Sequence, residues 1–168
     1  MRSVQFDKAL NAKAVAGTDG MLTAWAIMGY LKFRSRVPPA LLAAGVNSEQ
    51  WKARAAVAET IAGGNPNRAH LPILRQLVKD PNAMIRQTAA RAIGYVGDSS
   101  YETLSALMAA LEMDGESARH AVAGALCRAT GKKWFYPTSA SKEQKAKVLA
   151  TWRQWWKENK ETFRRAEK

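Results

Sequence analysis

Arg86-Gln87-Thr88-Ala89-Ala90-Arg91-Ala92-Ile93 decides the fold, because the chain writes it three times. It stands earlier as Arg54-Ala55-Ala56-Val57-Ala58-Glu59-Thr60-Ile61 and later as Arg119-His120-Ala121-Val122-Ala123-Gly124-Ala125-Leu126, at offsets of 32 and 33 residues. Each copy opens on arginine, then carries a small or branched apolar residue at +3, alanine at +4 and a large aliphatic residue at +7. That 0, 3, 4, 7 spacing marks one face of a helix. A weaker copy is Ala24-Trp25-Ala26-Ile27, with Gly20 in the arginine place.

The stretches between the copies repeat as well. Leu71, Leu74 and Leu77 return as Leu104, Leu107 and a shifted Met108/Leu111 set. Each unit therefore reads as a helix pair, leucine-rich first and alanine-rich second. The breaks are Gly63-Gly64-Asn65-Pro66-Asn67, Asp80-Pro81-Asn82, Gly97-Asp98-Ser99-Ser100 and Met113-Asp114-Gly115, the punctuation expected where helices stop and start. Small alanines let neighbouring second helices approach closely, so that stacking buries a core no single pair could bury.

Asp80-Pro81, Ile85-Arg86, Ala89-Ala90, Ile93-Gly94 and Gly97-Asp98 together resemble the second helix of a HEAT-like repeat of the phycobilisome-lyase type. The ending is similar to that of bacterial HEAT-repeat proteins: a threonine-glycine-aromatic loop, Thr130 to Pro137, then a tryptophan-rich helix with Trp152, Trp155 and Trp156. The resemblance implies an all-α fold, a short right-handed α-solenoid of HEAT-like helix pairs with a C-terminal capping helix. It also implies that Arg54, Arg86 and Arg119 bond acids in the adjoining turns, the candidates being Asp80 and Asp114, with Asn47 at the comparable turn. The expected organisation is one domain over 1–168, with 1–46 an irregular or degenerate first repeat, 47–131 the repeats, and 132–168 an aromatic loop and capping helix.

At the C-terminal end, Val148, Trp152 and Trp155 form an apolar stripe expected to pack on the last repeat, with Ser141 as N-cap and Glu143 in the first turn. The competing reading of Trp155 and Trp156 is a platform for nucleobases. Lys132, Lys133 and Trp134 open a basic, aromatic loop that either tucks its rings beneath the helix or grips an anionic partner. Near the other end, Lys32, Arg34 and Arg36 follow an apolar helix and form either a dipole-compensating cluster or a second anion or partner patch.

The net charge of +12 is uneven. Eleven basic and five acidic side chains lie in 1–80, four and five in 81–130, and eleven and four in 131–168. Two basic ends flanking a near-neutral middle attract anionic partners without choosing among them. A single cysteine, Cys127, excludes an internal disulfide framework and reads as a core thiol. Two histidines and no metal, phosphate-loop or nucleophile-elbow motif leave no catalytic constellation, so neither an enzyme nor a cofactor is expected. A bilin lyase follows from the name of the repeat type alone. The N-terminus shows no signal-peptide pattern and no apolar run spans a membrane, which for a complete chain means the cytoplasm.

The function expected is a protein-interaction or scaffold module, a subunit or adaptor in a larger assembly. The outward side chains of the second helices, Lys52, Glu59, Gln87, Arg91 and His120, would line a concave face of mixed character suited to a protein partner. The alternative is nucleic-acid or other polyanion binding through the basic ends.

Overall fold

The computed structural model describes residues 12–16, 20–32 and 37–166, with the side chains of Leu31 and Lys32 not described. The chain divides into two compact units, Met1–Asn65 and Pro66–Lys168. Regular structure among the described residues is entirely helical. No helix there is long and apolar enough to cross a membrane.

In the N-terminal unit, α1 (Gly20–Lys32) packs against α2 (Pro39–Val46) and α3 (Trp51–Gly63), and α2 packs against α3. Ala24, Ile27, Leu41, Val46, Ala53, Val57 and Ile61 form the core. Thr23, also buried, donates its hydroxyl to the Ala14 carbonyl at 2.9 Å, so its polarity is satisfied. At the start of α1, a Cβ at Gly20 would meet the Ser48 hydroxyl and the Gln50 side chain at 2.5 Å. The turn before α3 thus sits against the point where later units carry their arginine.

In the C-terminal unit, a single 3-10 turn (Arg68–His70) leads into α4 (Leu71–Leu77), followed by α5 (Ala83–Val96), α6 (Tyr101–Leu111), α7 (Glu116–Thr130) and α8 (Lys142–Arg165). Asn82 and Ser100 cap α5 and α6 with their side-chain oxygens, accepting from Met84 N at 2.9 Å and Thr103 N at 3.3 Å. The extensive contact is between the second helices α5 and α7. Ala89, Ala90 and Ile93 on one, and Ala118, Ala121, Val122 and Ala125 on the other, are all buried. Leucines of α4 and α6 supply the adjoining layer: Leu74, Leu77, Leu104, Leu107 and Leu111 expose 1% or less of their surface.

Helices α5 and α7 both end on glycine in the left-handed region, Gly97 (φ 67°) and Gly131 (φ 72°), whose N–H groups bond the Ile93 and Cys127 carbonyls at 3.1 and 2.9 Å. A Cβ at Gly97 would touch nothing within 4 Å, so only backbone strain opposes a side chain there. Gly97→Ala is expected to destabilise the unit by about 1–2 kcal/mol. Gly124→Ala, inside α7 with equally open space, is expected to stabilise by about 0.5–1 kcal/mol. Urea midpoints check both, and equal shifts of one sign would contradict the assignment.

The three repeat arginines act chiefly on main-chain carbonyls, where acidic partners were expected. Arg54 Nη1 donates to the Ser48 and Glu49 carbonyls at 2.8 and 2.9 Å. Arg86 Nη1 donates to the Asp80 and Pro81 carbonyls at 2.7 and 2.8 Å, one repeat further on, and its Nη2 donates to the Asp114 carbonyl of the following unit. Arg119 reaches the Leu111 carbonyl at 3.2 Å, and also the Asp114 carboxylate at 3.4 Å. The reason is local: helix ends leave carbonyls without intrahelical partners, and a cationic fork satisfies several at once.

The capping helix α8 packs on α6. Trp152 is fully buried and Trp155 nearly so. Tyr101 of α6 stacks on Trp156 at 5.7 Å. The N-terminus of α8 carries a complete capping box. Gln144, rather than Glu143, accepts from Ser141 N at 3.0 Å, and Ser141 Oγ accepts from Gln144 N at 3.3 Å.

Candidate functional site

The inward residues of α1 are Thr23, Ala24, Ala26 and Ile27. Their helical complement is Met21, Trp25 and Met28, spaced by four and three. Across from them on α3 stand Trp51, Lys52 and Glu59, and the two sets line an open groove of about 350 Å³. Trp25 is 68% exposed, Met28 55% and Trp51 43%. Lys52 Nζ lies 6.0 Å from the Trp51 ring centroid. Two of the expected partner-binding residues, Lys52 and Glu59, thus rim an apolar groove.

In the C-terminal unit the corresponding stripes are Met84, Gln87, Arg91 and Tyr95 on α5 and Ser117, His120, Gly124 and Arg128 on α7, each position 33 residues from its counterpart. Arg91 and His120 are exposed and Gln87 is half-exposed. Tyr95 is 75% exposed, and the Arg128 guanidinium lies 5.7 Å from its ring centroid, so the two stripes share one face. A Cβ at Gly94 would come within 2.7 Å of Arg128 Nη1: the missing side chain leaves room for the guanidinium to lie across α5.

A family model describing HEAT repeats matches residues 38–127. The chain belongs to the HEAT-repeat family. Neither the curated proteins nor the solved structures gave a significant match. The fold class is accordingly all-α, of HEAT-type helix pairs. HEAT repeats are in general protein-interaction and scaffold modules.

The remaining candidates fall into place around the repeats. The loop after α7 folds back along that helix. The Tyr136 carbonyl accepts from His120 Nδ1 at 2.8 Å, and the Trp134 carbonyl accepts from Trp152 Nε1 at 2.9 Å. A carbonyl can only accept, so His120 carries its proton on Nδ1. Tyr136 is buried and Trp134 half-buried, while Phe135, Lys132 and Lys133 are exposed. The loop therefore tucks two of its three rings, and Lys132 Nζ rests 5.4 Å from the Trp134 centroid. Of the tryptophans on α8, Trp155 is buried and Trp156 stacks on Tyr101. Arg34, Arg36 and the side chain of Lys32 lie outside the described residues.

Among the described residues no three His, Cys, Asp or Glu side chains gather as metal ligands. Cys127 is buried, and that burial pushes its thiol up from the ordinary value, against a main-chain hydrogen bond from Trp134 and the charge of Arg128. A thiol held protonated is a poor nucleophile.

Sequence reasoning marked the apolar helix that holds Trp25 and Met28 as a candidate contact with another chain, and missed Trp51, Tyr95 and Arg128 as surface residues. A signal was present, since each falls on or beside the outward stripe of its helix. An aromatic residue at an outward position reads as core until burial is known.

Proposed function

We propose that this protein is a non-enzymatic interaction module, a subunit or adaptor of a larger assembly, that seats the apolar face of a partner helix in the groove between α1 and α3. The observation that supports it is the exposure of Trp25, Met28 and Trp51 along one groove. Large apolar side chains grouped at a soluble surface mark contact sites. Tryptophan is enriched among residues that dominate binding energy, each costing on the order of 2 kcal/mol or more when truncated. Lys52 and Glu59 at the rim supply one charge of each sign, which sets the register of a partner more than its affinity. The spacing of Met21, Trp25 and Met28 is that of a helix-in-groove interface.

Helical peptides selected from a displayed library on the purified chain provide the test. Titration calorimetry of a selected peptide is expected to show Trp25→Ala and Trp51→Ala each weakening binding by about thirtyfold, the equivalent of about 2 kcal/mol. Both side chains are exposed, so the helical circular dichroism should be unchanged. Peptides bound equally well by both variants would sink the groove assignment.

A further inference from the structure

The segment 81–130 is near neutral by count, with four basic and five acidic side chains, yet the α5–α7 face within it is cationic. Every carboxylate of the segment lies off the outward stripes of α5 and α7 and has a partner. Glu102 pairs with Arg75 at 3.9 Å, Glu112 with Arg153 at 2.5 Å, Asp114 with Arg119 at 3.4 Å and Glu116 with Lys145 at 2.6 Å. Asp98 is buried and accepts from the Ser100 hydroxyl and N–H. All five acids lie on first helices, on turns or at the start of α7, and none on the outward stripes.

The cations are left over. Among the described residues neither Arg91 nor Arg128 forms an ion pair. Arg128 is instead held over Tyr95, its guanidinium spread across the gap that Gly94 leaves in α5. An arginine fixed on an aromatic ring gives up less side-chain freedom on meeting a carboxylate than a mobile one. His120 adds a polar ring whose Nδ1 is already committed to Tyr136.

We propose that the α5–α7 face docks an acidic peptide segment, with Arg91 and Arg128 receiving its carboxylates and Tyr95 and Met84 receiving its apolar side chains. This rests on the reading of the chain as an interaction module but concerns a second surface, on the other unit. The partner's chemistry follows from charge complementarity: free arginines, no competing carboxylate, and an amide at Gln87. Peptide is favoured over nucleic acid because the arginines are flanked by exposed apolar groups, Met84 at 59% and Tyr95 at 75%. A phosphate backbone needs a continuous cationic track.

The net charge of +12 attracts any anion, so the test must separate the face from the total. The probe is a fluorescein-labelled twelve-residue peptide alternating Glu with Leu or Phe, measured by anisotropy at about 0.15 M salt. A Gln-for-Glu peptide and a single-stranded oligonucleotide serve as comparisons. The variants are the doubles R91E/R128E and K157E/K160E, which change net charge equally; Lys157 and Lys160 are exposed on α8. The expected result is binding of the acidic peptide, loss of about tenfold or more in R91E/R128E, and a change within about twofold in K157E/K160E. Equal loss in both doubles, no binding of the acidic peptide, equal binding of the Gln peptide, or tighter R91E/R128E-sensitive binding of the oligonucleotide would each overturn the proposal. Trp25→Ala is expected to keep the acidic peptide. Failure here with groove binding intact removes this site alone, whereas failure of the groove peptides with this site intact removes the other.

Discussion

Trp152→Ala is expected to lower the stability of the C-terminal unit by about 3–5 kcal/mol. Trp152 is fully buried, with ring centroids of Trp134 at 5.1 Å and Trp155 at 5.6 Å, both edge-on. Truncation opens a cavity between α8 and the last repeat and leaves the Trp134 carbonyl without the Nε1 donor that meets it at 2.9 Å. The cavity is the larger effect, and the lost hydrogen bond adds on the order of 1 kcal/mol. Against a total stability of about 5–15 kcal/mol for a domain, that is a large fraction. Trp152→Phe keeps most of the ring contacts but not the donor, so a loss of about 1–2 kcal/mol is expected. Urea unfolding followed by circular dichroism measures both. A wild-type midpoint for the alanine variant would show that α8 does not cap the unit.

The second large effect is expected at Arg86, which exposes 3% of its surface and holds carbonyls from two successive turns. Its Nε is buried without a partner, so the side chain already carries one unsatisfied donor, offset by the bonds of the two terminal nitrogens. Arg86→Ala removes the fork and strands the Asp80, Pro81 and Asp114 carbonyls, at an expected cost of about 3–5 kcal/mol. Arg86→Lys keeps the charge but has a single nitrogen for three acceptors set apart in space, so it should recover less than half of the loss. Arg54→Ala is expected to cost less, about 1–2 kcal/mol, because Arg54 is only half-buried and water can replace its bonds. Equal urea midpoints for the Arg86 and Arg54 alanine variants would contradict the ranking. The contrast explains why the motif opens on arginine: its work is to tie each turn, and in the middle copy the next turn as well.

Much of this architecture was legible because it is local. The spacing of Ala89, Ala90 and Ile93 reports a buried helix face, and all three are buried. Gly97 and Gly131 report helix ends, and both adopt the left-handed conformation that ends them. Ser141 was readable as an N-cap because the cap bonds span three residues. Lys52 and Glu59 in one unit, and Gln87, Arg91 and His120 in the other, were readable as lying opposite the apolar stripe of their helices, and the structure exposes four of the five and half-exposes Gln87. Less legible was the character of these surfaces. Trp25 and Trp51 carry the same hydrophobic signal as Trp152, and only packing distinguishes a ring in a groove from a ring in a core.

The sequence by itself determined the period, because the motif recurs along the chain, and the helix caps and the buried side of each helix, because these follow from spacings shorter than two turns. Only the tertiary structure decided the destination of charge. Glu116 finds Lys145 across 29 residues and Glu112 finds Arg153 across 41. No local pattern specifies such partners, because they depend on where α8 lies against the last repeat. The arithmetic of the segment predicted a mixed, near-neutral face. Packing engaged its acids elsewhere and left Arg91 and Arg128 on the surface, so that the motif Arg86 to Ile93 carries one edge of a cationic face.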